Sequence, residues 1–233
     1  MGHDVSPSTS GFACTIGVDR VEQDGTMNLY FSPGTCSLHP HIALREIGLP
    51  FGLVRVHMRA HKTHDGKDFY DINPKGYVPV LELDDGSLLT EGAIIAQYIA
   101  DLRPESNLLP PAGSMERYRV QEWLHFVATE IHKSFGPLFT VGERATKEQA
   151  RAKLGTRLDF VARELNRRHY LVGTRYTIAD GYLFNMLTWT QFTGVELTRW
   201  PSLQAFFARV HGRPSVQAAM AAERSESSIP SDL

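Results

Sequence analysis

The sequence predicts an α/β domain followed by an all-helical domain, and three observations support that prediction. Strand-like and helix-like patterns alternate over residues 27–104, and Asp85-Gly86 joins two strand patterns as a strong hairpin signal. Prolines and a glycine then punctuate a linker at residues 105–113. Beyond it, over residues 114–233, only helical patterns follow. We therefore predict a mixed four-stranded sheet covered by helices, then a helical domain.

The first domain is predicted to follow a βαβ-αββα order. Its last helix carries apolar residues at positions 94, 95, 98, 99 and 102, which share one helical face. In order, the predicted elements are strand Asn28–Phe31, helix Ser37–Ile47, strand Phe51–Val56, a short helix around Asp68–Ile72, strands Val80–Leu83 and Ser87–Thr90, and helix Glu91–Asp101. The helices predicted for the second domain are Met115–Phe135, Lys147–Arg168, Ile178–Gln191, Ser202–His211 and Val216–Ala222.

Residues 1–26 differ from the rest of the chain in composition. They are rich in Gly, Ser, Thr and Asp, and they show no sustained helical or alternating pattern. They also lack the basic start and apolar core of a secretory signal. We expect either a disordered or non-native N-terminal extension, or translation that starts at Met27.

Composition and charge limit the classes of function. A net charge of −2 over 233 residues gives no basic footprint, so we expect no nucleic-acid partner. No apolar run approaches the roughly 18 residues of a membrane span, so no membrane partner is expected. The two cysteines, Cys14 and Cys36, are too few for a secreted disulfide framework. A reducing, cytoplasmic location is therefore the expectation, with Cys14 an inert free thiol.

A cysteine at the start of a predicted helix is the most informative local feature. Cys36 follows a strand and a Ser-Pro-Gly turn, where the amphipathic segment Ser37–Gly48 begins. The unpaired N–H groups and partial positive charge of a helix start favour a thiolate, so we predict a lowered pKa for Cys36. His39 and His41 follow it, but their spacing is not a standard zinc spacing, and no metal is expected.

Two further motifs fit either ligand binding or ordinary local structure. Pro79 precedes a strand, and such a proline is often cis, which turns the backbone before it outward to pair with an extended ligand. An ordinary turn proline explains the same pattern. Thr90-Glu91-Gly92 opens a helix whose N–H groups can hold a carboxylate, while Glu91 can accept an ammonium. Simple capping by Thr90 explains this motif at least as well.

Two features of the second domain also need interpretation. Thr177-Ile-Ala-Asp180 fits a capping box ahead of an apolar helix, and we interpret it as structural. His132 follows Glu130 on a helix with a mixed face, where a lone histidine is more often structural. The alternative is a Cys–His pair assembled from both domains.

The ordered set of these motifs resembles a bacterial beta-class glutathione transferase. The motifs are Cys36-Ser37 after Ser-Pro-Gly-Thr, Asn73-Pro-Lys-Gly-Tyr-Val-Pro79, Leu88-Leu-Thr-Glu-Gly92 and Thr177-Ile-Ala-Asp180, in order between Met27 and about Ala222. The resemblance implies a thioredoxin-like N-terminal domain, a helical C-terminal domain with the electrophile site, glutathione as cosubstrate and a homodimer. It implies conjugation of glutathione to small electrophiles. A glutathione-dependent thiol–disulfide reductase and a non-catalytic binder of glutathione or hydrophobic ligands are the alternatives.

The same resemblance implies roles for individual residues. Cys36 and His132 would be catalytic, with Cys36 beside the glutathione sulfur and able to form a mixed disulfide with it. Val78 would pair its backbone with the cysteinyl part, and Glu91 and Gly92 would hold the γ-glutamyl end. The full implied glutathione-binding set is Ser37, His61, Tyr77, Val78, Pro79, Glu91, Gly92, Thr129 and Lys133.

Four positions depart from the family pattern. Phe31 replaces a common tyrosine, Tyr77 a common glutamine and His125 a common asparagine. His61 falls where a lysine usually meets a glutathione carboxylate, so that contact would become pH-dependent. A donor lost from a buried charged ligand costs about 1.5–3 kcal/mol, so these departures bear on glutathione affinity and on the preferred electrophile.

Overall fold

The computed structural model describes residues 26–227, and its sheet has one strand more than the sequence predicts. The strands are β1 (Met27–Phe31), β2 (Phe51–His57), β3 (Lys62–Thr63), β4 (Val80–Glu82) and β5 (Leu88–Thr90). They lie in the order β3-β2-β1-β4-β5, with β1 parallel to β2 and the other neighbours antiparallel. The mixed sheet is confirmed, but four strands is wrong: β3 has two residues, too few to produce an alternating pattern.

The helices follow the predicted order, with one long helix divided into three parts. They are α1 (Leu38–Ile47), α2 (Phe69–Ile72), α3 (Gly92–Leu102), α4 (Met115–Phe126), α5 (Lys133–Phe139), α6 (Arg144–Leu165), α7 (Ile178–Thr188), α8 (Thr190–Thr193), α9 (Pro201–His211) and α10 (Pro214–Ser227). A π-helical segment, Val127–His132, connects α4 to α5 where one continuous helix was predicted. Such segments often occur at functional sites, because the extra residue per turn re-aims the side chains. The predicted N-terminal extension lies, but for Thr26, outside the described residues.

Helix α7 is the central element of the hydrophobic core. All of its residues from Ile178 to Leu187 are buried, and it packs against α1 of the sheet domain and against α4 and α9. A helix that is buried on every side needs mostly apolar residues, and this sequence supplies them, while the polar side chains of Asp180 and Asn185 bond to neighbouring segments. Side chains of α7 therefore reach the junction between the sheet domain and the helical domain.

A buried capping box starts α7, as the sequence predicts. The Thr177 N–H and hydroxyl donate to Asp180 Oδ2 at 2.8 and 3.0 Å, and the Leu171 N–H donates to Asp180 Oδ1 at 2.8 Å. Burial raises the pKa of the Asp180 carboxyl to about 6, although the three hydrogen bonds favour its charged form. The structural interpretation of this motif is confirmed.

Candidate active site

The turn between β1 and α1 presents Cys36, and Ser37 holds that turn together. Ser37 is fully buried and is the N-cap residue of α1. Its Oγ donates to the Ser32 carbonyl at 3.2 Å and accepts the Ser32 N–H at 3.2 Å. The hydroxyl of Ser37 is thus engaged within the turn, and its position fits the shaping of the cysteine loop more directly than contact with a ligand.

The helical domain fixes the same turn from the other side. Trp189 Nε1 donates to the Gly34 carbonyl at 2.9 Å, and Asn185 Nδ2 donates to the Thr35 carbonyl at 3.3 Å. The Gly34 N–H donates to Glu223 Oε2 of α10 at 3.2 Å, and the other oxygen of Glu223 pairs with His41 Nδ1 at 3.2 Å. The loop that carries the cysteine is therefore held in place by side chains from α7, α10 and the residue that follows α7.

The environment of Cys36 raises the pKa of its thiol, whereas the sequence predicts a lowered pKa. Its Sγ donates to the Val78 carbonyl at 3.4 Å, and part of the residue reaches the surface. Desolvation raises the pKa of the Cys36 thiol to about 11, and the lowering effects of a backbone N–H and of Lys133 are smaller. The predicted low pKa is wrong because Cys36 lies before the N-cap, packed between protein groups, where loss of water outweighs the charge of the helix start.

The peptide bond between Val78 and Pro79 is cis, as one of the two sequence interpretations expected. Val78 is buried, and its carbonyl faces the Cys36 thiol. Gly92, the first residue of α3, lies against the Pro79 ring, which a Cβ at Gly92 would meet at 3.5 Å. Three separate segments, around Cys36, Val78-Pro79 and Gly92, thus meet at one end of the sheet, where β1 and β5 finish and β4 begins.

Glu91 occupies a backbone conformation that non-glycine residues rarely adopt. Its φ is +70°, and it is the N-cap residue of α3 without a side-chain capping bond. Lys75 Nζ donates to Glu91 Oε1 at 2.8 Å and to Thr90 Oγ1 at 2.9 Å. Backbone strain of this kind concentrates at ligand-binding positions. Sequence reasoning missed Lys75, although it lies inside the Asn73–Pro79 motif.

His132 lies in an aromatic enclosure formed by residues of α7 and the residue after it. Its Nδ1 is 2.8 Å from the Tyr182 hydroxyl, and its ring meets the Trp189 ring edge-on at 5.0 Å between centroids. Desolvation, and then the charge of Lys133, lower the pKa of His132 to about 4. At neutral pH the imidazole is therefore uncharged. Burial raises the pKa of the Tyr182 phenol, which stays protonated and donates to Nδ1.

Electrostatic coupling shows that the predicted residues of the two domains lie near one another. The charges of Glu91 and Lys133 both act on the Cys36 thiol, and Cys36 and Glu91 both raise the pKa of Tyr182. Sequence reasoning missed Tyr182 and Trp189 because both fall within a helix that reads as scaffold. Nothing in the apolar pattern of that helix distinguishes them from core residues.

Three predicted binding residues are exposed, and two of them make hydrogen bonds within their own segments. Thr129 is exposed and donates its hydroxyl to the His125 carbonyl at 2.9 Å. Tyr77 is 47% exposed, and its carbonyl accepts a hydrogen bond from Asn73 Nδ2 at 2.7 Å. Lys133 is exposed beside His132. Their geometry leaves the Tyr77 ring and the Lys133 ammonium accessible to a ligand.

His61 is linked to the site through Tyr70. It has a φ of +50° and stacks on the Tyr70 ring at 4.6 Å, with the Tyr70 hydroxyl 3.4 Å from Nε2. The Tyr70 ring in turn covers Gly76, where a Cβ would come within 2.4 Å of a ring carbon. His61 therefore borders the loop that contains Lys75 and Tyr77.

Residues 26–227 offer neither a membrane-spanning helix nor a cluster of metal ligands. None of the helices in that range has the length and apolar character needed to cross a bilayer. Within the same range, no three His, Cys, Asp or Glu side chains lie close enough together to hold a metal ion.

Family models match most of the chain in two blocks. The model for the N-terminal domain of glutathione S-transferase matches residues 34–102, and the model for its C-terminal domain matches residues 122–214. The two blocks fall on the sheet domain and on the helical domain.

Individual relatives agree with the family models. The chain is 45% identical to glutathione S-transferase GstA of Escherichia coli O157:H7, over 84% of this chain and 98% of the relative. A sphingomonad glutathione S-transferase complexed with glutathione superposes with a TM-score of 0.82 at 42% identity, over 84% and 98% of the two chains. A beta-class enzyme of Sphingomonas chungbukensis gives 0.82 at 43% identity, with the same coverage. The chain belongs to the glutathione S-transferase family, and its structural neighbours include a bacterial beta-class member.

Proposed function

We propose that this glutathione transferase binds glutathione with its sulfur beside Cys36 and joins that sulfur to a small electrophile held by the helical domain. Glutathione is the cosubstrate of the family. The observation that carries the residue-level proposal is the position of the Cys36 thiol. It is 3.4 Å from the Val78 carbonyl and interacts electrostatically with Glu91 and Tyr182.

The tripeptide would lie across the end of the sheet where β4 begins. The backbone of Val78, before Pro79, pairs with the cysteinyl part in the manner of an added strand. The first N–H groups of α3, from Gly92 onward, hold the γ-glutamyl carboxylate, while the Glu91 carboxylate accepts its ammonium. Lys75 already positions Glu91 at 2.8 Å.

The other end of glutathione carries the glycyl carboxylate, which needs a positive or polar partner. We assign it to the region bordered by His61 and Tyr77, with Lys133 and Thr129 facing from the helical domain. The stacking of His61 on Tyr70 supports this assignment, because it holds the imidazole beside the Lys75–Tyr77 loop.

Cys36 acts in this proposal as a hydrogen-bond donor. A thiol with a pKa of about 11 is protonated at neutral pH, so its S–H can turn from the Val78 carbonyl to the sulfur of glutathione. A hydrogen bond to the charged form lowers the pKa of the acceptor, so the glutathione thiolate would be stabilised. Because a thiol–disulfide reductase needs Cys36 as a thiolate, the raised pKa favours conjugation over the reductase alternative.

His132 would act on the electrophile side. With Nδ1 accepting from Tyr182, the proton of the neutral ring is on Nε2, which can donate to negative charge that develops on the electrophile or its leaving group. The Trp189 ring and the half-exposed Phe139 ring, 5.3 Å apart between centroids, border the same region. Such walls suit a flat aromatic electrophile such as a chloronitrobenzene.

A mixed disulfide of Cys36 with glutathione is the second part of the proposal. The Cys36 thiolate attacks one sulfur of oxidised glutathione, the S–S bond breaks, and the departing glutathione thiolate takes up the proton that Cys36 lost. Because the pKa is about 11, the rate should rise about tenfold per pH unit between pH 7 and pH 10.

Intact-mass spectrometry after incubation with oxidised glutathione tests this chemistry. We expect one glutathione per chain in the Cys14→Ser variant and none in Cys36→Ala, with the pH dependence stated above. In parallel, conjugation of a chloronitrobenzene should persist in part in Cys36→Ala, because binding and His132 remain. Modification of Cys14 alone, or no turnover by the wild type, would contradict the proposal.

The oligomeric state and the location are also proposals. Large apolar side chains are exposed on β5, α3, α4 and α6, which is the kind of surface that a homodimer covers. They are Leu88, Ile94, Met115, Tyr118 and Phe160. Analytical ultracentrifugation should show a dimer that Ile94→Asp converts to monomer. We place the enzyme in the cytoplasm, where free thiols stay reduced.

A further inference from the structure

A buried histidine outside the predicted site connects the two domains. His39 belongs to α1 and is 1% exposed, and its ring lies flat on the Tyr182 ring, with centroids 4.7 Å apart and planes inclined by 4°. Its Nε2 is 2.9 Å from the Ile178 carbonyl. Because a carbonyl can only accept, Nε2 carries the proton. Nδ1 is then an acceptor, and it has no partner in the described part of the chain.

Two glycines make room for this ring. A Cβ at Gly181 would lie 3.5 Å from His39 Cδ2, and a Cβ at Gly92 would lie 4.0 Å from His39 Nδ1. The imidazole therefore fills the space between the start of α3 and the start of α7. It is held on its face by Tyr182 and at its edge by the bond to Ile178.

Packing alone does not explain an imidazole at this position. A phenyl ring would fill similar space without burying an unpaired nitrogen, which is unfavourable. The imidazole, however, contacts α7 twice, one turn apart: its N–H bonds to Ile178, and its face stacks on Tyr182. These two contacts together determine how the Tyr182 side chain is oriented relative to α1.

The orientation of Tyr182 in turn affects His132, because the two side chains are in contact. Its hydroxyl is 2.8 Å from His132 Nδ1, and the His132 ring meets the Tyr182 ring edge-on at 6.0 Å between centroids. We propose that His39 is a positioning residue: by stacking on Tyr182 it keeps the tyrosine hydroxyl on Nδ1 of His132, and so keeps the proton of His132 on Nε2. The inference rests on the proposed role of His132 as an Nε2–H donor.

Two substitutions of His39 distinguish ring stacking on Tyr182 from simple filling of the same space. His39→Phe keeps a flat ring against Tyr182, whereas His39→Leu fills a similar volume without one. Tyr182→Phe removes the hydroxyl, so it shows which His132 nitrogen shifts result when the hydrogen bond between Tyr182 and His132 is lost. His169→Leu, at an exposed position between α6 and α7, is the matched control. The readouts are the ring-nitrogen chemical shifts of His132 in histidine-labelled protein, and kcat and KM for glutathione.

We expect His39→Leu to move the His132 nitrogen shifts towards those of Tyr182→Phe, and to lower kcat about tenfold while KM for glutathione stays within about twofold. His39→Phe should retain most of the wild-type shifts and kcat. Wild-type nitrogen shifts in folded His39→Leu would overturn the proposal, and so would equal disturbance of the shifts in His39→Phe and His39→Leu.

The nitrogen shifts also separate this inference from the proposed function. If His132→Ala retains full kcat, the catalytic role of His132 is wrong. The shifts in the His39 variants still report whether His39 holds the tautomer of His132. A merely structural histidine would alter the folded fraction, measured by circular dichroism, without changing the shifts of the molecules that fold.

Discussion

The two halves of the candidate site are built from different parts of the polypeptide. The sheet domain contributes mainly backbone: the turn before α1, the cis bond before Pro79 and the left-handed Glu91. The helical domain contributes side chains, among them Tyr182 and Trp189, which both contact His132. Backbone groups are present whatever the side chain, so the first half suits the constant part of a substrate pair. Side-chain walls can vary from one enzyme to another, so the second half suits the electrophile.

The largest expected effect concerns the capping box of α7, the helix that carries Tyr182 in the side-chain half of the site. Asp180→Ala leaves the buried N–H groups of Leu171 and Thr177 without their acceptor. Each such group costs about 1–3 kcal/mol, so we expect a loss of about 2–6 kcal/mol in the free energy of unfolding, measured with urea.

The control for this prediction is a cap at a partly exposed helix start. Ser114 accepts the Arg117 N–H at 3.2 Å at the beginning of α4, and Ser114→Ala should cost about 1 kcal/mol. Equal losses in the two variants would show that burial of α7 adds nothing to the strength of its cap.

The next effect is a pH dependence of stability that is caused by His39, which is buried between the two domains. Burial lowers the pKa of His39 to about 3 in the folded protein, while an unfolded histidine has a pKa near 6.5. Between these values the unfolded chain binds a proton that the folded chain does not, so stability rises with pH over this window. At pH 5 the contribution of His39 should be about 2 kcal/mol less favourable than at pH 7.5.

Urea unfolding of wild type and His39→Phe at pH 5 and pH 7.5 measures this difference. Stability should increase less between these pH values in His39→Phe, because a phenyl ring takes up no proton. His125→Phe, at an exposed histidine, should behave as wild type. A wild-type pH dependence in His39→Phe would mean that His39 titrates normally in the fold.

A smaller effect is expected when the hydrogen bond between Trp189, in the side-chain half, and the Cys36 turn, in the backbone half, is removed. Trp189→Phe keeps an aromatic ring but removes the hydrogen bond to the Gly34 carbonyl. We expect the free energy of unfolding to fall by about 1 kcal/mol and kcat for conjugation to fall several-fold, since the Cys36 turn is less constrained.

Trp200→Phe supplies the matched control. Trp200 also donates from its indole nitrogen, to Asp159 Oδ1 at 2.7 Å, but between α6 and the segment before α9. It should lose similar stability and keep normal activity. If both variants lose the same activity, the bond to Gly34 has no special connection with the site.

The smallest effect on stability is expected at Lys75. Its ion pair with Glu91 is exposed, and exposed pairs contribute little to folding. Lys75→Ala should therefore leave the melting temperature unchanged but weaken binding of an S-alkyl glutathione, because Glu91 loses its positioning partner. Lys67→Ala, which breaks the exposed pair with Asp65, should change neither quantity. Unchanged binding in Lys75→Ala would remove Lys75 from the site.

The sequence shows the backbone half of the site more clearly than the side-chain half, for a physical reason. Pro79 and the Asp85-Gly86 turn indicate special backbone geometry, because proline restricts the backbone and glycine accepts conformations that other residues avoid. The capping box at Thr177 and Asp180 is likewise a local pattern, with both partners three positions apart. Features of this kind can be predicted because cause and effect lie within a few residues.

The remaining features depend on contacts between distant segments. The raised pKa of Cys36 comes from packing that the helix-start pattern does not reveal. His39 and Tyr182 are 143 positions apart in number, and their stacking follows only from the packing of α1 on α7. The two-residue β3 and the π-helical segment are too short or too similar to their neighbours to change an apolar period. All of these features are determined by packing in the folded protein and not by the local sequence.

The hydrogen bond from Gly34 to Glu223 joins residues 189 positions apart. On a ribosome that adds about 5–20 residues per second, the partner of Gly34 is synthesised roughly 10–40 s after Gly34 itself. During that interval the sheet domain can form around a cysteine turn that still lacks one of its supports. The thiol loop is therefore synthesised well before α10, which supplies the last of its supports.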